Sequence, residues 1–315
     1  MRQVSDEGAH QLIHQALLYD GDHECLSATT DFCLDGLAAG DKVLVVVAEA
    51  KIALLREKLA EPASEVEFVA AREWYRAPGR TLAALDRHIA AHKSNHGRVR
   101  IIGEPVWDSR TQLEECEWIR CESVTNAAFA SRPAWFVCLY DRRTLPEHIL
   151  TGAGRTHPHL LTGSGGRDSD SYVDPALFAC PGDEFPLPPA PANTTVIAFG
   201  ADLGLMRQRL VAHIAALGLP GERAQDILLA VNEVATNSVE HGAGHGLVTL
   251  WTSGTTLVCD IVDSGRMTVP LPGFLPPALT AGHGHGLWIA RQLCELVQVR
   301  ADPDGTQIRL HLAMT

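Results

Sequence analysis

No stretch of the 315 residues approaches the ~20 consecutive apolar residues that cross a bilayer, so a helical membrane span is excluded. Residues 1–15 lack both the positive cluster and the apolar run of a secretory signal, and the chain is expected in the cytoplasm with no membrane contact. Basic residues are scarce: 26 Lys and Arg face 38 Asp and Glu, for a formal charge of −12. A surface of that sign repels a phosphate backbone, so no direct nucleic-acid contact is expected. The eight cysteines contain no C-x-x-C pair and read as reduced thiols, mostly in the core. Internal repeats and heptads are missing too. His10, His14, His23 and Cys25 match no firm metal template, although a helix over this segment would put His10 and His14 on one face.

What is present divides in two. The length suits two domains. A Gly-, Ser- and Pro-rich stretch between Thr151 and Pro191 has neither helical nor alternating apolar periodicity. The expected division is 1–162, a linker over 163–192 whose Pro186–Pro191 end is a semi-rigid spacer, and 193–315. In the first part, short apolar runs at Val43–Val47, Val99–Ile102 and Trp135–Leu139 alternate with segments of helical spacing. That order predicts an α/β fold with a parallel sheet and flanking helices. In the last part, a strand near Thr194–Phe199 precedes two helices and then strands at Leu247–Thr252, Leu257–Val262 and Gln307–Leu312, the pattern of an α+β sandwich.

The second of those helices carries Glu233, Asn237 and His241 at a spacing of four, which aligns them on one face. A carboxylate there can orient or deprotonate an attacking hydroxyl, and a carboxamide oxygen can ligate Mg²⁺ that bridges nucleotide phosphates. Polar residues on one helical face are more often simply solvated, so the helix alone decides little. Two further elements add to it. Asp263-Ser-Gly265 follows an apolar strand; its carboxylate can accept from a purine amino group, and its glycine lets a ring approach the backbone. Gly282-His-Gly284-His-Gly286-Leu287 opens a helix, where free amides and the positive end of the helix dipole suit phosphate oxygens. Between them, the Pro-rich segment Thr268–Pro277 is expected to act as a short lid, and Gly305-Thr306 leads the last strand.

In that order these pieces resemble the GHKL ATPase fold, a Bergerat-type α/β sandwich, and more narrowly the anti-sigma factor serine kinases. The resemblance covers about residues 193–315. It implies ATP and Mg²⁺ as cofactors, Glu233 as catalytic base and Asn237 as Mg²⁺ ligand. Asp263 is implied as adenine reader with Gly265 beside the base, Gly282, Gly284 and Gly286 with Leu287 as the phosphate loop, His241 as a neighbour of the nucleotide, and Thr306 as a support of the adenine pocket. One position departs: the usual strand-end motif is D-x-G-x-G, and Met267 stands at the second glycine, which points to weaker nucleotide binding or slow turnover. A phosphoacceptor histidine on a hairpin before the ATP domain is lacking; His213 lies within the domain and is expected at its surface, and His283 and His285 face solvent or nucleotide more readily than a metal.

The first part has a strand-turn-helix over Gly36–Lys51 without the Gly-Lys-Ser/Thr of a phosphate loop, so no ATP is expected there. Its pieces Tyr19-Asp-Gly-Asp22-His23, Gly103-Glu104-Pro-Val-Trp107, Glu122-x-x-x-Asn126, Cys138-Leu-Tyr-Asp141 and Thr156-His157-Pro158 resemble the MEDS sensory domain, similar to a degenerate RecA-type fold. This resemblance implies that the domain senses a small-molecule signal. His23, Glu104, Trp107, Tyr140, Asp141 and His157 are expected to converge at the carboxyl ends of the strands, where open α/β sheets bind ligands. The plainer alternative makes Trp107 and Tyr140 core and the histidines solvated.

The combined expectation is a regulator in which a sensory domain controls an ATP-binding anti-sigma factor and serine/threonine kinase. Its partners would be a sigma factor and an anti-sigma antagonist of the STAS type, and the kinase family's habit of dimerising leaves room for a homodimer. The alternatives are a non-catalytic, ATP-dependent partner-switching module, and a histidine kinase ATPase domain acting on another chain.

Overall fold

A computed structural model describes residues 11–92, 97–162, 165–180, 183, 187–269, 271–274 and 285–314. The chain divides into two compact units, one of Met1–Arg76 and Thr81–Phe178, the other of Ala77–Arg80 and Ala179–Thr315.

The first unit is built on a seven-stranded sheet in the order β3-β2-β4-β5-β1-β6-β7. Its strands are β1 (Ile13–Tyr19), β2 (Lys42–Val47), β3 (Glu67–Ala70), β4 (Val99–Gly103), β5 (Ala134–Asp141), β6 (His159–Thr162) and β7 (Gly165–Asp168). All pairings are parallel except the last, β6 with β7. The run Val43–Val47 has no exposure at any position, as expected of a strand covered by helices on both faces. Those helices are α1 (Asp22–Ala38), α2 (Glu49–Leu59), the single turn α3 (Ala71–Trp74), α4 (Pro78–His92), α5 (Gln112–Ala128) and α6 (Glu147–Thr156). α5 starts at a capping box: the Glu114 N–H donates to Thr111 Oγ1 at 3.3 Å while the Thr111 N–H donates to Glu114 Oε2 at 2.7 Å. The connection after β2 runs to one edge of the sheet and the connection after β4 runs the other way. The carboxyl ends of these two neighbours therefore flank a crevice.

In the second unit the sheet is antiparallel throughout, in the order β11-β12-β10-β9-β8. It comprises β8 (Thr195–Phe199), β9 (Gly246–Ser253), β10 (Thr256–Asp263), β11 (Leu296–Asp302) and β12 (Gly305–Ala313), with helices α7 (Gly204–Ala216), α8 (Gly221–Glu240) and α9 (Gly286–Leu293). α8 buries Ile227, Ala230, Val231, Val234, Ala235 and Ser238, a three-to-four residue repeat that packs one stripe on the sheet. The core joins that stripe to Met206, Leu210 and Ile214 of α7, Leu287 and Ala290 of α9, and Val248, Cys259, Ile261, Ile308 and Leu310 of the strands. This is the layered α/β sandwich expected of residues 193–315.

Residues 163–192, expected as a spacer, are taken up by the two units wherever they are described. β7 extends the first sheet, and Phe178 is buried with the Arg155 guanidinium 4.8 Å from its ring centre. In the second unit the Leu187 N–H donates to the Gln307 side chain at 2.9 Å, and Arg309 donates to the Pro188 carbonyl at 2.7 Å. Arg309 is held in turn by the buried Asp260 carboxylate. The composition signals turns correctly, but backbone groups of the stretch find partners on the sheets, which a free spacer would give to water.

Candidate functional site

In the second unit the register of β10 on β12 sets Asp263 opposite Thr306. Asp263 is buried, and its Oδ1 accepts the Gly265 N–H at 2.7 Å. Its Oδ2 accepts no hydrogen bond among the described residues, which leaves that oxygen for a ligand's donor. Thr306 Oγ1 donates to the Gly265 carbonyl at 2.7 Å and accepts the Met267 N–H at 3.2 Å, which fixes the turn after β10. The end of α8 closes on this turn. A Cβ on Gly265 would lie 2.5 Å from Gly242 Cα, and a Cβ on Gly242 would lie 2.6 Å from Asp263 Oδ1. Only glycines permit that approach.

Asn237 lies a little more than one turn before Gly242 on α8, and both the His241 and Gly242 N–H groups donate to its backbone carbonyl, at 2.8 and 3.2 Å. Its half-buried carboxamide meets the first residue of α9: a Cβ on Gly286 would stand 2.8 Å from Asn237 Nδ2. Asp263, Gly265, Thr306 and the α8 end thus form one side of a continuous cradle, with Asn237 and Gly286 on the other. Glu233 is half-buried one turn back along α8, and neither its side chain nor that of Asn237 has a hydrogen-bond partner among the described residues. His241 is exposed at the helix end, 3.9 Å from Glu240. Leu287 is core rather than lining. Gly282, Gly284 and His283 lie outside the described residues, as do Pro270 and residues 275–277 of the expected lid. The described end of that segment is anchored: the Arg291 guanidinium sits 3.5 Å from the Phe274 ring centre and donates to the Pro272 carbonyl at 3.1 Å.

Met267, at the position of the missing glycine, packs against the hydrophobic core. His213 is half-buried beside Thr195, with Nδ1 3.3 Å from the hydroxyl, rather than free at the surface.

The expected sensory residues do not share one site. At the crevice between β2 and β4 lies a cleft of about 640 Å³ lined by Ala48, Glu49, Glu104, Trp107, Thr144 and Pro146 among others. Glu104 and Trp107 are there. Glu104 accepts the Ala48 N–H at 2.9 Å and pairs with Lys51, which donates to the Tyr19 hydroxyl at 2.8 Å. Burial would depress the Lys51 ammonium, but the Glu104 carboxylate outweighs it and holds the pKa above the usual lysine value. Burial pushes the Tyr19 phenol up to about 12. The Trp107 indole N–H is buried with no hydrogen-bond partner among the described residues. The other four are elsewhere. Asp141 is held by Arg143, whose hydrogen bonds keep its carboxyl below the usual range. His23 is exposed on α1. Tyr140 and His157 are buried inside the unit, ring centres 5.6 Å apart, so His157 is neither solvated nor in the cleft. His10 lies outside the described residues, and His14 stands on strand β1, so no helical face joins them.

Sequence reasoning does not bring together His14, Glu122 and Cys138, whose side chains meet His157 in the core. Glu122 and Cys138 stood in the quoted motifs, but bringing them to His14 requires the parallel pairing of β1 with β5.

Residues 13–158 match the family model of MEDS, the methanogen/methylotroph, DcmR sensory domain, and residues 199–312 match that of the histidine kinase-like ATPase domain. No curated protein matches the chain. Among solved structures it is similar to the RsbU and RsbW domains of a Mycobacterium tuberculosis protein, with 21% identity and a TM-score of 0.31. That alignment covers 40% of this chain and 33% of the other, so this chain spans about a third of its neighbour's length. None of the described helices is long and apolar enough to cross a membrane. The chain therefore joins a MEDS sensory domain to a histidine kinase-like ATPase domain.

Proposed function

We propose that this protein is a signalling regulator whose first domain senses a small molecule and whose second domain binds Mg-ATP and phosphorylates a serine or threonine of an antagonist protein. The observation that carries the reading is the cradle itself: a buried acid with one oxygen to spare, two glycine approaches closer than any Cβ allows, and an unpartnered carboxamide against the α9 terminus. Asp263 would accept from the adenine amino group, with Thr306 and Gly265 holding the turn beneath the ring. Asn237 would hold Mg²⁺, which when bound neutralises phosphate charge and aligns the terminal phosphoryl group. Gly286 would turn its amide to the phosphates from the positive end of α9.

In this reading Glu233 acts at the acceptor. Its carboxylate takes the proton of the serine or threonine hydroxyl as that oxygen bonds to the γ-phosphorus and the bond to the β-phosphate oxygen breaks, leaving ADP. Sensing would use the cleft between β2 and β4, lined by Trp107 and by Glu104 with its partner Lys51 behind it. The partners expected by family resemblance, a sigma factor and its STAS-type antagonist, fit a kinase whose substrate is a protein, and a cytoplasmic setting and a dimer belong to the same reading.

The test is transfer of radiolabelled phosphate from ATP to candidate antagonists by the wild type and by Glu233→Ala. The variant should retain ATP and lose transfer by about 10²–10⁴-fold. Equal rates would refute Glu233 as base. ATP binding without transfer by the wild type would favour the non-catalytic module, consistent with Met267 in place of glycine, and acid-labile label on a histidine would replace the serine/threonine assignment.

A further inference from the structure

The first unit holds a cluster of four potential metal ligands, each from a different part of the fold: His14 of β1, Glu122 of α5, Cys138 of β5 and His157 at the end of α6. One ligand atom from each lies within 4.8 Å of all the others. His14 Nε2 is 3.4 Å from Glu122 Oε2 and 3.5 Å from Cys138 Sγ; Cys138 Sγ is 3.4 Å and His157 Nε2 3.5 Å from the same Glu122 oxygen. A tetrahedral ion with bonds of about 2.0–2.3 Å separates its ligands by roughly 3.3–3.8 Å. Four of the six distances between the ligand atoms already have that length.

Both imidazoles are turned for it. His14 Nδ1 is 3.0 Å from Asn126 Oδ1, and Asn126 is itself fixed by donating to the Thr156 carbonyl at 2.7 Å. His157 Nδ1 is 2.9 Å from the Ala153 carbonyl. With Nδ1–H donating to these oxygens, each Nε2 presents a lone pair to the centre, the arrangement usual for metal-bound histidine. The centre is then rich in electrons: two imidazole lone pairs and a carboxylate meet, and the Cys138 S–H is the one proton the geometry assigns between them. His157 Nε2, on a side chain with no exposure, makes no hydrogen bond among the described residues. An orphaned acceptor aimed at a buried carboxylate calls for a cation.

We infer that His14, Glu122, Cys138 and His157 form a tetrahedral site for a divalent ion of the zinc class, buried in the sensory unit. Two nitrogens, one thiolate and one carboxylate suit a borderline-soft d¹⁰ ion better than Ca²⁺ or Mg²⁺, which take oxygen ligands. On binding, the Cys138 thiol gives its proton to solvent, and the two positive charges of the ion are balanced by one thiolate and one carboxylate. The site ties β1, β5, α5 and the α6 terminus at one point. Tyr140 stands between it and the cleft, its ring centre 5.6 Å from that of His157 and 6.3 Å from that of Trp107.

Two measurements on the full chain test this. After expression with zinc and dialysis, metal analysis should give one zinc per chain, and stoichiometric Co²⁺ added to chelator-stripped protein should give the visible bands of tetrahedral cobalt with a thiolate charge-transfer band. Cys138→Ser should remove the charge-transfer band, and Asn126→Ala, which frees His14 without touching a ligand, should weaken binding about 10- to 100-fold. A folded wild type, checked by circular dichroism, that takes up no zinc or cobalt overturns the inference. So does metal whose spectrum and affinity are unchanged in Cys138→Ser and Asn126→Ala, because the ion then sits on other residues.

Discussion

The two units place their polar chemistry in opposite ways. In the first, His14, Glu122, Cys138 and His157 lie wholly inside the core and touch through side chains. In the second, Glu233 and Asn237 are half-exposed at the edge of the sandwich, and the closest contacts are made by backbone that lacks a Cβ, at Gly242, Gly265 and Gly286. A side-chain cluster in the core is sensitive to loss of a polar partner, whereas a backbone cradle is sensitive to gain of a methyl group.

The largest stability effect is expected at Glu122→Ala, which strands two buried imidazoles and a thiol. Loss of about 3 kcal/mol should lower the unfolding midpoint of the first unit in thermal or denaturant melts. A loss within ~0.5 kcal/mol would mean the cluster relaxes or hydrates freely, and the contrast between the units would disappear. Gly265→Ala in the second unit should cost about 1–3 kcal/mol, because the new methyl meets Gly242 backbone rather than a flexible side chain, and ATP affinity should fall with it. Thr306→Val should cost about 1 kcal/mol through the lost bonds to Gly265 and Met267, read as weakened ATP binding in calorimetry.

The smallest effect concerns thiol accessibility. Seven of the eight cysteines are buried and Cys116 is partly exposed. Burial pushes the Cys25 thiol up to about 11 and the Cys33 thiol up to about 12, so neither is a thiolate at pH 8. Labelling of the native chain at that pH should show one fast thiol, Cys116 in the first unit. Rapid labelling of two or more would indicate a looser core than described.

The same contrast explains what could be read from the sequence. The ATPase-type cradle is written in short spans, Glu233 to Gly242 and Asp263 to Gly265, because a helix period and a strand-end turn suffice to place those residues. The parallel sheet of the first unit was legible from runs such as Val43–Val47, whose burial on both faces forces continuous apolarity. Its metal-type cluster was not. His14 and Asn126 are 112 residues apart, and His14 and Cys138 are 124 apart, so only strand pairing brings them together. For the same reason His23 and Asp141 look in sequence like members of a site they do not join: polar residues at or just past strand ends look alike, whether spent on an arginine or facing solvent. The stretch 163–192 resembles a spacer because four-residue β7 is too short to show a period, and Leu187 and Pro188 bond to partners more than a hundred residues away, at Gln307 and Arg309.

The central claim is that Asp263 and Asn237 serve one nucleotide. Calorimetric titration of ATP into the full chain, with and without Mg²⁺, tests it when repeated on Asp263→Asn and Asn237→Ala. The account predicts saturable binding at one ATP per chain, a fall of about 10- to 150-fold in Asp263→Asn from the lost charged hydrogen bond, and loss of the Mg²⁺ dependence alone in Asn237→Ala. Binding of ATP that neither substitution alters, or no binding by the folded wild type, would contradict it.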